Sequence, residues 1–333
     1  MTSESHSGDI IAESLLQVIR KKPGVTHTFA VLGRKLNLTT DQLVAGAQQL
    51  ALWDYRIGLR LSKGITFFSA PDQLTTAEIS LGLTTKQMGR NILAYRTVQS
   101  TNDLAAAQAE HGAPEGTIVV ADQQTKGRGR LGRAWFSPPG TGIYVSIILK
   151  PTFSPELAPG LSLMTALALA RTLEKLCPDA VAIKWPNDLL LGGKKVAGIL
   201  TELSADKDKI GHVIVGVGIN VNHGVGHFPD ELKQTATSVR RFLKHKVSRV
   251  ELLRHFLTQF ERDYTHYQKH QLAQSHKQLR KYSSLLGREI TVIAGRSRIR
   301  GIAHDIDIHG RLILCSGSEL IPITAGEVTV EKK

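Results

Sequence analysis

Three apolar stretches between residues 180 and 222 constrain the fold of this chain more than any other feature. Each is rich in Val, Ile and Leu, and short polar turns, GGKK and ADKDK, separate them. In order they read AVAIKWPNDLLL, VAGILTELS and GHVIVGVGINVN. Apolar runs of this length joined by such turns are typical of strands in consecutive hairpins. We therefore predict three antiparallel strands, and an α+β fold class for the domain that contains them.

Predicted strands and helices both precede this sheet. The predicted strands are NILAYRTV, GTIVVADQQ and GIYVSIIL, and the predicted helices are STNDLAAAQAEHG and LAPGLSLMTALALARTLEKL. Ser100 or Thr101 is suited to cap the first of these helices, and Gly112 is suited to end it. Further along, residues 237–282 are helical and basic in pattern.

The tail after Gly287 has a different pattern. Its short apolar runs, split by Gly and Asp, predict a small β-barrel. A length of 333 residues exceeds the usual size of one hydrophobic core. We expect three domains, at residues 1–70, 71–282 and 283–333, with a linker that starts at Pro71.

The first 70 residues predict a compact helical module. Helical spacing covers residues 10–22, 28–36 and 41–55, and Thr39 or Thr40 is suited to cap the third helix. Two short strands, IGLRL and ITFFSA, follow. Helices in this order before a hairpin are the pattern of a winged helix-turn-helix. A regulatory or dimerisation module that binds no DNA is the alternative.

Positive charge is spread unevenly. The chain has a net charge of +13, and residues 240–300 hold fifteen Lys or Arg against four Asp or Glu. Such a surface favours nucleic acid, an acidic protein or an anionic membrane as partner. A solvated face that keeps the protein soluble explains the same charge equally well.

Signals for export or membrane insertion are missing from the sequence. The first nine residues, MTSESHSGD, are polar, and the longest apolar run ends at Arg171, far short of a membrane span. Two distant cysteines, Cys177 and Cys315, predict buried, reduced thiols and no metal site. We expect a soluble, cytoplasmic protein without a membrane partner.

The stretch GRGRLGRAW, residues 127–135, concentrates positive charge. Arg128, Arg130 and Arg133 lie within six residues, and Lys126 precedes them. Crowded cations repel each other unless an anion binds among them, and glycines allow the backbone to approach a ligand closely. The loop therefore predicts an anion-binding site, with a basic loop for nucleic acid as the alternative.

Five motifs in a fixed order resemble those of the biotin protein ligases. They are STND, GRGRLGRAW, KWPNDLLL, KKVAGIL and GVGINVN. The resemblance covers nearly the whole chain, and the winged helix before these motifs resembles that of bifunctional ligases that also repress the biotin operon. It implies a central α/β domain related to class II synthetases and lipoate ligases, and a C-terminal barrel of SH3-like type.

The resemblance also implies a reaction. Family members activate biotin with ATP and Mg²⁺, release pyrophosphate, and pass the biotinyl group from biotinyl-adenylate to a lysine of the biotin carboxyl carrier protein of acetyl-CoA carboxylase. Because the biotin carboxylate and the α-phosphate are both anions, such a site needs cations that screen their repulsion. The loop arginines meet that need.

The motifs assign roles to individual residues by the same resemblance. The catalytic residues are Arg128, Arg130 and Lys195. The residues at biotin are Ser100, Thr101, Asn102, Gln124, Gly127, Arg128, Gly129, Arg130 and Lys195. The residues at ATP or the adenylate are Trp135, Lys184, Asn187, Asp188 and Asn220. Of these, Asp188 is also expected to hold Mg²⁺, assisted by Asn220.

Most of these residues also have a purely structural interpretation. The STND segment is suited to cap a helix, and Asp188 to close an Asx-turn after Pro186. Lys195 follows a Gly-Gly turn, where an exposed lysine is ordinary. Trp135 is suited either to stack on adenine or to pack in a core.

Repression is the least constrained part of the resemblance. The third predicted helix contains no Lys or Arg and carries Asp41 and Asp54. The side chains expected at DNA are Arg34, Lys35, Gln42, Gln48, Arg56, Arg60 and Lys63. This set is thin for one half-site, so binding of operator DNA would need a ligand-promoted homodimer. The alternatives are a ligase with a vestigial DNA-binding domain, a lipoate ligase, and a repressor that uses biotin only as corepressor.

Overall fold

The computed structural model of the chain describes residues 4–206, 209–295 and 297–330. The contacts divide the chain into two compact units, Met1–Asp72 and Gln73–Lys333. None of the helices in the described ranges combines the length and the apolar character that crossing a lipid bilayer requires.

The first unit packs three helices against a small sheet. The helices are α1 (Glu4–Ile19), α2 (Phe29–Leu36) and α3 (Thr40–Leu52). The strands are β1 (Thr26–His27), β2 (Arg56–Arg60) and β3 (Gly64–Ser69). Strand β3 lies between the other two and is antiparallel to both. Leu15, Leu32, Leu43 and Ile65 lie in the buried core of this unit.

Local capping sets the limits of these helices. The Gln42 backbone N–H donates to the Thr39 hydroxyl, and the Thr39 backbone N–H donates to the Gln42 side chain, which forms a capping box. Thr39, one of the two predicted caps, is therefore the N-cap. The helix ends at Leu52 and not at residue 55 as predicted, because Asp54 has a φ of 65°, which a right-handed helix does not accommodate. Helix α1 likewise ends at Ile19, three residues before the predicted limit.

A seven-stranded sheet forms the centre of the second unit. Its strands are β4 (Ile92–Val98), β5 (Ile118–Gln124), β6 (Gly142–Leu149), β7 (Val181–Lys184), β8 (Asp188–Leu191), β9 (Lys194–Asp206) and β10 (Lys209–Asn220). They lie in the order β4-β5-β6-β10-β9-β8-β7, and only the β4–β5 pair is parallel. The predictions of an antiparallel sheet from residues 180–222 and of an α+β fold are confirmed.

The prediction of a single strand for AVAIKWPNDLLL is wrong. The chain turns at Trp185 and Pro186, which are joined by a cis peptide bond, and β7 and β8 form a hairpin in which Lys184 stands opposite Asp188. A proline has no backbone N–H for a ladder, so it ends the strand that precedes it. Apolar residues on both sides of the turn made the segment look continuous.

Six helices flank the central sheet. They are α4 (Thr76–Ser80), α5 (Thr101–Glu110), α6 (Gly160–Glu174), α7 (Val239–Leu243), α8 (Arg249–His270) and α9 (His276–Tyr282). Ser100 is the N-cap of α5, since its hydroxyl accepts from the Asp103 backbone N–H. Helix α6 is buried on most sides, as its sequence predicted. The buried Arg249 pairs with Asp122 at 2.6 Å and fixes the end of β5 against α8.

Five strands near the C-terminus form a second sheet. They are β11 (Glu289–Ala294), β12 (Ser297–Ile306), β13 (Leu312–Ser316), β14 (Glu319–Ile323) and β15 (Glu327–Val330). All neighbours are antiparallel, in the order β14-β13-β12-β11-β15. The inward side chains of this sheet belong to the same hydrophobic core as the central sheet. The Trp185 indole N–H also donates to the Gly310 carbonyl at 2.9 Å. Residues 207–208, within the predicted turn ADKDK, lie outside the described residues.

The two cysteines differ in burial. Cys177 is buried, whereas Cys315 is partly exposed, so the prediction of burial is wrong for Cys315. Successive side chains of a strand point to opposite faces, and the neighbouring Leu314 is the one that points into the core. Both thiols are free.

Candidate active site

One cavity of about 480 Å³ in the second unit gathers nearly all the predicted site residues. Those that line it are Ser100, Thr101, Asn102, Gln124, Arg128, Gly129, Arg130, Trp135, Lys184, Asn187, Asp188, Lys195 and Asn220. The remaining one, Gly127, packs behind the loop, where a Cβ would lie 2.6 Å from the Trp135 carbonyl oxygen and 2.7 Å from Ser137 Oγ. Only glycine fits at that position without movement of its neighbours.

Hydrogen bonds join the side chains predicted at biotin into one chain. The Thr101 backbone N–H donates to Gln124 Oε1 at 2.9 Å, and Gln124 Nε2 donates to Ser137 Oγ at 3.0 Å. On the other side, Ser146 Oγ lies 2.8 Å from Thr101 Oγ1 and 2.6 Å from Asn102 Oδ1. These bonds hold the polar lining of the cavity in one arrangement.

Glu202 on β9 extends this chain to the glycine-rich loop. Asn102 Nδ2 donates to Glu202 Oε2 at 2.6 Å. Arg128 Nη2 lies 3.0 Å from Glu202 Oε1 and 2.5 Å from Asp103 Oδ1. Arg128 is therefore held between two carboxylates, one on β9 and one in the first turn of α5.

The other arginines of the loop have different partners. Arg130 Nη1 donates to Asn187 Oδ1 at 3.0 Å, and Asn187 Nδ2 donates to a carbonyl of β9 at 2.8 Å. Arg133 pairs with Glu327 of β15. Burial lowers the pKa of the Arg130 guanidinium, although Asp188 and Glu327 act in the opposite direction. An arginine stays charged at neutral pH even so, so Arg130 brings a positive charge to the wall of the cavity.

The β7–β8 hairpin and the start of β9 add two lysines. Lys195 Nζ lies 2.8 Å from Asp188 Oδ1 and 5.3 Å from the centroid of the Trp135 ring. Its backbone N–H donates to the Thr235 carbonyl at 2.8 Å, which fixes its position. Lys184, at the end of β7, lines the same cavity. Cations from the loop, β7 and β9 thus converge, an arrangement that suits an anionic ligand.

Trp135 covers a part of the cavity floor that is lined by glycines. Gly198 on β9 and Gly218 on β10 face each other in register, and a Cβ on Gly218 would lie 2.3 Å from Trp135 Nε1. Among the described residues, no acceptor meets the buried indole N–H. A buried donor without a partner is costly, so the indole N–H is a candidate for a ligand contact.

Several residues of the site were missed by the sequence analysis. Ser146 and Glu202 bond to predicted site residues, and Glu327 lines the cavity and pairs with Arg133, but none of the three belongs to the motifs. A signal existed for Ser146, because a hydroxyl in the apolar strand GIYVSIIL has to find a partner once buried. The sequence also held a signal for Gly216 and Gly218. Glycines at alternate positions of a strand leave one face of it without side chains, so that another group can approach the backbone closely.

The residues predicted at DNA all lie in the first unit. Their side chains are exposed on α2, on α3, and on β2 and the turn after it. These residues are Arg34, Lys35, Gln42, Gln48, Arg56, Arg60 and Lys63. The carbonyl oxygen of Gln42 is used in the capping box of α3, which leaves the amide nitrogen as its group for other contacts.

Two family models match the second unit. The Biotin/lipoate A/B protein ligase family matches residues 93–220, and the Biotin protein ligase C terminal domain matches residues 285–330. The first range contains the glycine-rich loop, the hairpin and both glycine-lined strands. The second range contains the five-stranded sheet.

Similar proteins extend the match to most of the chain. The Bifunctional ligase/repressor BirA of Bacillus subtilis (strain 168) is 35% identical over 85% of this chain and 90% of its own length. The protein of the same name from Escherichia coli (strain K12) is 28% identical over 92% of this chain and 94% of its own length. The solved structure of the biotin protein ligase from Aquifex aeolicus in complex with biotin and ATP is similar with a TM-score of 0.64 and 30% identity, over 73% of this chain and 100% of that one. On these similarities, the chain belongs to the biotin protein ligase family of enzymes.

Proposed function

We propose that the chain activates biotin with ATP to biotinyl-5′-AMP and transfers the biotinyl group to a lysine of the biotin carboxyl carrier protein of acetyl-CoA carboxylase. The observation that carries this proposal is the meeting, in one cavity, of the polar chain around Thr101 with the cations Arg128, Arg130 and Lys195. Neutral donors and acceptors suit the ring of biotin, and cations suit its carboxylate and the phosphates. The Aquifex aeolicus relative, bound to biotin and ATP, supports the same ligands.

In this proposal the cavity acts by charge and position. An oxygen of the biotin carboxylate forms a bond to the α-phosphorus while the bond from that phosphorus to pyrophosphate breaks. Arg130 and Lys195 screen the repulsion between the two anions and stabilise the charge that develops on the phosphate oxygens. Trp135, Lys184 and Asn187 lie on the nucleotide side. Because the cavity holds both reactants together, the entropic cost of bringing them into contact is not part of the barrier of the chemical step.

The second step uses the same cavity. The neutral amine of the acceptor lysine attacks the biotinyl carbonyl carbon, an amide bond forms, AMP leaves with the electron pair of the broken bond, and the nitrogen releases one proton to solvent. Asp188, at 2.8 Å from Lys195 Nζ, holds that cation in place. The cations then stabilise AMP as the leaving group.

Magnesium fits the oxygen ligands that the cavity offers. Mg²⁺ is commonly bound by one or two carboxylates, with substrate phosphates and waters as its other ligands. Asp188 supplies a carboxylate and the buried Asn220 supplies an amide oxygen. Within the described residues there is no cluster of three or more His, Cys, Asp or Glu, so these two residues would hold an ion bound largely by the phosphates. The ion would neutralise phosphate charge.

The purified chain with biotin, ATP, Mg²⁺ and a carrier domain tests this proposal. We expect pyrophosphate release with biotin and ATP alone, and streptavidin-detectable label once the carrier is added. A carrier with its acceptor lysine replaced by arginine is the matched control and should stay unlabelled. Transfer of lipoate in place of biotin would identify a lipoate ligase, and biotin binding without pyrophosphate release would identify a sensor that is no ligase.

We propose a second function, biotin-responsive repression, for the first unit. Its three helices and the β2–β3 hairpin fit a winged helix-turn-helix, with residues 1–70 as the DNA-binding domain, residues 71–282 as the ligase domain and residues 283–333 as an SH3-like barrel. The exposed cations of α2 and the hairpin suit DNA phosphates, and Gln48 suits an adenine edge. The printed names of the Bacillus and Escherichia relatives include a repressor function.

Operator binding in this proposal depends on a homodimer. Helix α3 contains no Lys or Arg, so one copy binds one half-site weakly, and two copies linked by a ligand-promoted interface bind together. A gel shift on DNA upstream of biotin-synthesis genes, with and without biotin plus ATP, tests it, and Arg60→Ala should weaken the shift. Binding absent in every condition would leave a ligase with a vestigial winged helix, and equally tight binding without ligand would contradict the dimer switch.

A further inference from the structure

A buried histidine lies behind the part of the cavity wall that the segment after β10 supplies. Phe228, in this segment, lines the cavity and is 3% exposed. His223, earlier in the same segment, is 0% exposed and is not among the described residues that line the cavity. The reaction proposed above gives His223 no role. If it affects a ligand, it must do so through a neighbour.

The imidazole of His223 packs flat on the ring of Phe228. The two ring centroids are 4.9 Å apart, and the ring planes differ by 14°. Phe136, which follows Trp135 in the chain and also lines the cavity, has its ring centroid 6.2 Å from that of His223 and 6.4 Å from that of Phe228. Separations of this size are those of interacting aromatic rings. Phe136, His223 and Phe228 therefore form one aromatic cluster.

Hydrogen bonds fix the position of His223 between two segments. Its Nε2 lies 3.2 Å from Thr141 Oγ1, and its backbone carbonyl accepts from the Ser238 hydroxyl at 2.7 Å. The neighbouring Asn222 backbone N–H donates to the Thr141 carbonyl at 2.6 Å. Thr141 belongs to the stem through which the glycine-rich loop leads into β6, and Ser238 is the N-cap of α7. His223 thus joins the stem of that loop to the segment that carries Phe228.

The wall that this cluster supports is apolar. Phe136, Phe228, Leu232 and Ala236 all line it. Phosphates and a carboxylate need the cations of the cavity, so the base is the part of ATP that suits an aromatic, apolar wall. A wall whose rings are already ordered loses little entropy when a ligand binds. Support of Phe228 from behind should therefore strengthen the binding of a base.

We propose that His223 is a positioning residue for the nucleotide, which holds the Phe228 ring in the orientation that receives the base and ties it, through Thr141, to the stem of the glycine-rich loop. The inference rests on ATP being a ligand of the cavity, as proposed above. His223 itself touches neither the base nor the reacting atoms. Its effect should appear in the affinity for the nucleotide and not in the affinity for biotin.

The test uses α,β-methylene-ATP, which cannot release pyrophosphate, and measures its dissociation constant by calorimetry in the presence of biotin. The variant His223→Gln removes the ring but keeps a polar side chain. We expect the dissociation constant of the analogue to rise about five- to tenfold, and that of biotin to stay within about twofold. Tripolyphosphate, which has the phosphates but no base, should compete equally well in wild type and variant. Equal losses for the analogue and tripolyphosphate would overturn the inference.

A double-mutant cycle tests whether His223 acts through Phe228. Phe228→Leu alone should weaken the analogue. In the Phe228→Leu background, His223→Gln should change the dissociation constant less than about twofold, because the ring that it would hold is gone. A loss in that background as large as in the otherwise wild-type chain would show that His223 acts by another route, and would contradict the inference.

Thr141→Val tests the tie to the stem of the loop. It removes the hydroxyl near His223 Nε2 and keeps the shape of the side chain, so the analogue should bind about two- to fourfold more weakly. Unchanged affinity would refute the tie. If His223→Gln does not fold, Thr141→Val carries the test alone.

Phe260→Leu is the matched control for loss of packing. It removes a ring from another buried stacked pair, Phe260 and Tyr264, whose centroids are 6.0 Å apart and whose planes differ by 14°. We expect it to lower stability but to leave the affinity for the analogue unchanged. A similar loss of affinity in Phe260→Leu would attribute the effect of His223→Gln to stability alone and overturn the inference.

The wild type separates this inference from the proposed function. If it binds the analogue but releases no pyrophosphate from ATP with biotin, the proposed ligase function is refuted, and the dissociation constants still decide the role of His223. If it binds no nucleotide at all, both are refuted.

Discussion

The glycine-rich loop and the β2–β3 hairpin are both rich in cations, but the cations of the loop are bonded to other side chains whereas those of the hairpin are exposed to solvent. In the loop, Arg128 meets two carboxylates, Arg130 meets an amide oxygen, and Arg133 meets Glu327. On the hairpin side, the side chains of Arg56, Arg60 and Lys63 are exposed.

The difference teaches what each set of cations is suited to do. A guanidinium that is already ordered and partly desolvated loses little entropy when a small anion binds, so it contributes strongly to one chemical step. A solvated cation contributes through counterion release along a polyanion, and salt screens it. Mutations in the loop should therefore cost far more than mutations in the hairpin.

The largest effect is expected for Arg130→Gln. It removes the half-buried charge that we propose to stabilise the developing phosphate charge, so the rate of pyrophosphate release should fall about 100- to 1000-fold. Stopped-flow measurement of pyrophosphate provides the rate. Arg300→Gln, on an exposed pair of β12, is the control and should change nothing. A loss below tenfold would break the comparison, since Arg130 would then behave like a solvated cation.

The second effect concerns the support of the loop by the sheet. In Gly218→Ala the new Cβ would lie 2.3 Å from Trp135 Nε1, so the indole must move and the floor becomes overpacked. We expect ATP affinity to fall about tenfold or more, with a shift in tryptophan emission. Gly211→Ala on the same strand meets only an ordinary contact at 3.4 Å and should keep both. Unchanged tryptophan emission would mean that the position of the Trp135 indole does not depend on a glycine at residue 218.

The hairpin should give a smaller effect of a different kind. On the proposed repressor function, Lys63→Ala should weaken DNA binding a few-fold and lower the slope of log affinity against log salt by about 1, because one of the proposed phosphate contacts is lost. Biotinylation of the carrier should not change. Fluorescence anisotropy at several salt concentrations provides the slope, with Lys277→Ala in the second unit as control. A slope equal to that of the wild type would remove Lys63 from the DNA contacts.

The smallest expected effect is on the free energy of unfolding at acid pH, and it depends on the packing of His223 beside the cavity. His223 stacks on Phe228 at 4.9 Å, and burial, then His227 and Arg249, lowers the pKa of His223 to about 3. At pH values below the ordinary pKa of 6.5, His223 therefore binds a proton in the unfolded chain but not in the folded chain. The folded state should lose stability as pH falls from 6.5, by at most about 1.4 kcal/mol per pH unit.

The variant His223→Gln should lack this share of the acid sensitivity. Denaturant unfolding at pH 7 and pH 5.5 gives the free energy of unfolding of each protein. From pH 7 to pH 5.5 the wild type should lose about 1 kcal/mol more of this free energy than the variant does. His304→Gln, at an exposed position of β12, is the control. Parallel pH curves for wild type and His223→Gln would show that this packing does not exclude the proton.

Local patterns made much of the fold predictable. Apolar runs and turns located most strands of the second unit, and hydroxyls before helical segments located the caps Ser100 and Thr39. The split of β7 and β8 was missed because a proline turn inside an apolar run leaves the hydrophobic pattern unbroken. The limits of α1 and α3 were missed because backbone conformation, such as that of Asp54, decides them.

The candidate site was predictable where its residues belong to short motifs. Thirteen of the predicted residues line one cavity, because glycines, cations and amides cluster in the sequence there. The partners of those residues were not predictable. Glu202 meets Asn102 across a separation of 100 positions, and in the same loop Arg133, which was not assigned to the site, meets Glu327 across 194 positions. No local pattern encodes such pairs, since they depend on how strands and sheets are assembled.

The hydrogen bond from Trp185 to Gly310, together with the shared core beneath it, bears on how the second unit loses its structure. Among the described residues, the buried side chains of the C-terminal sheet belong to the same apolar core as those of the central sheet, so we expect the two to fold together. Opening it exposes core side chains of the central sheet as well, and amide protons on both sides of this contact should exchange with solvent in a single cooperative event. Proteolytic removal of the last strands would then unfold the ligase machinery and not simply shorten the chain.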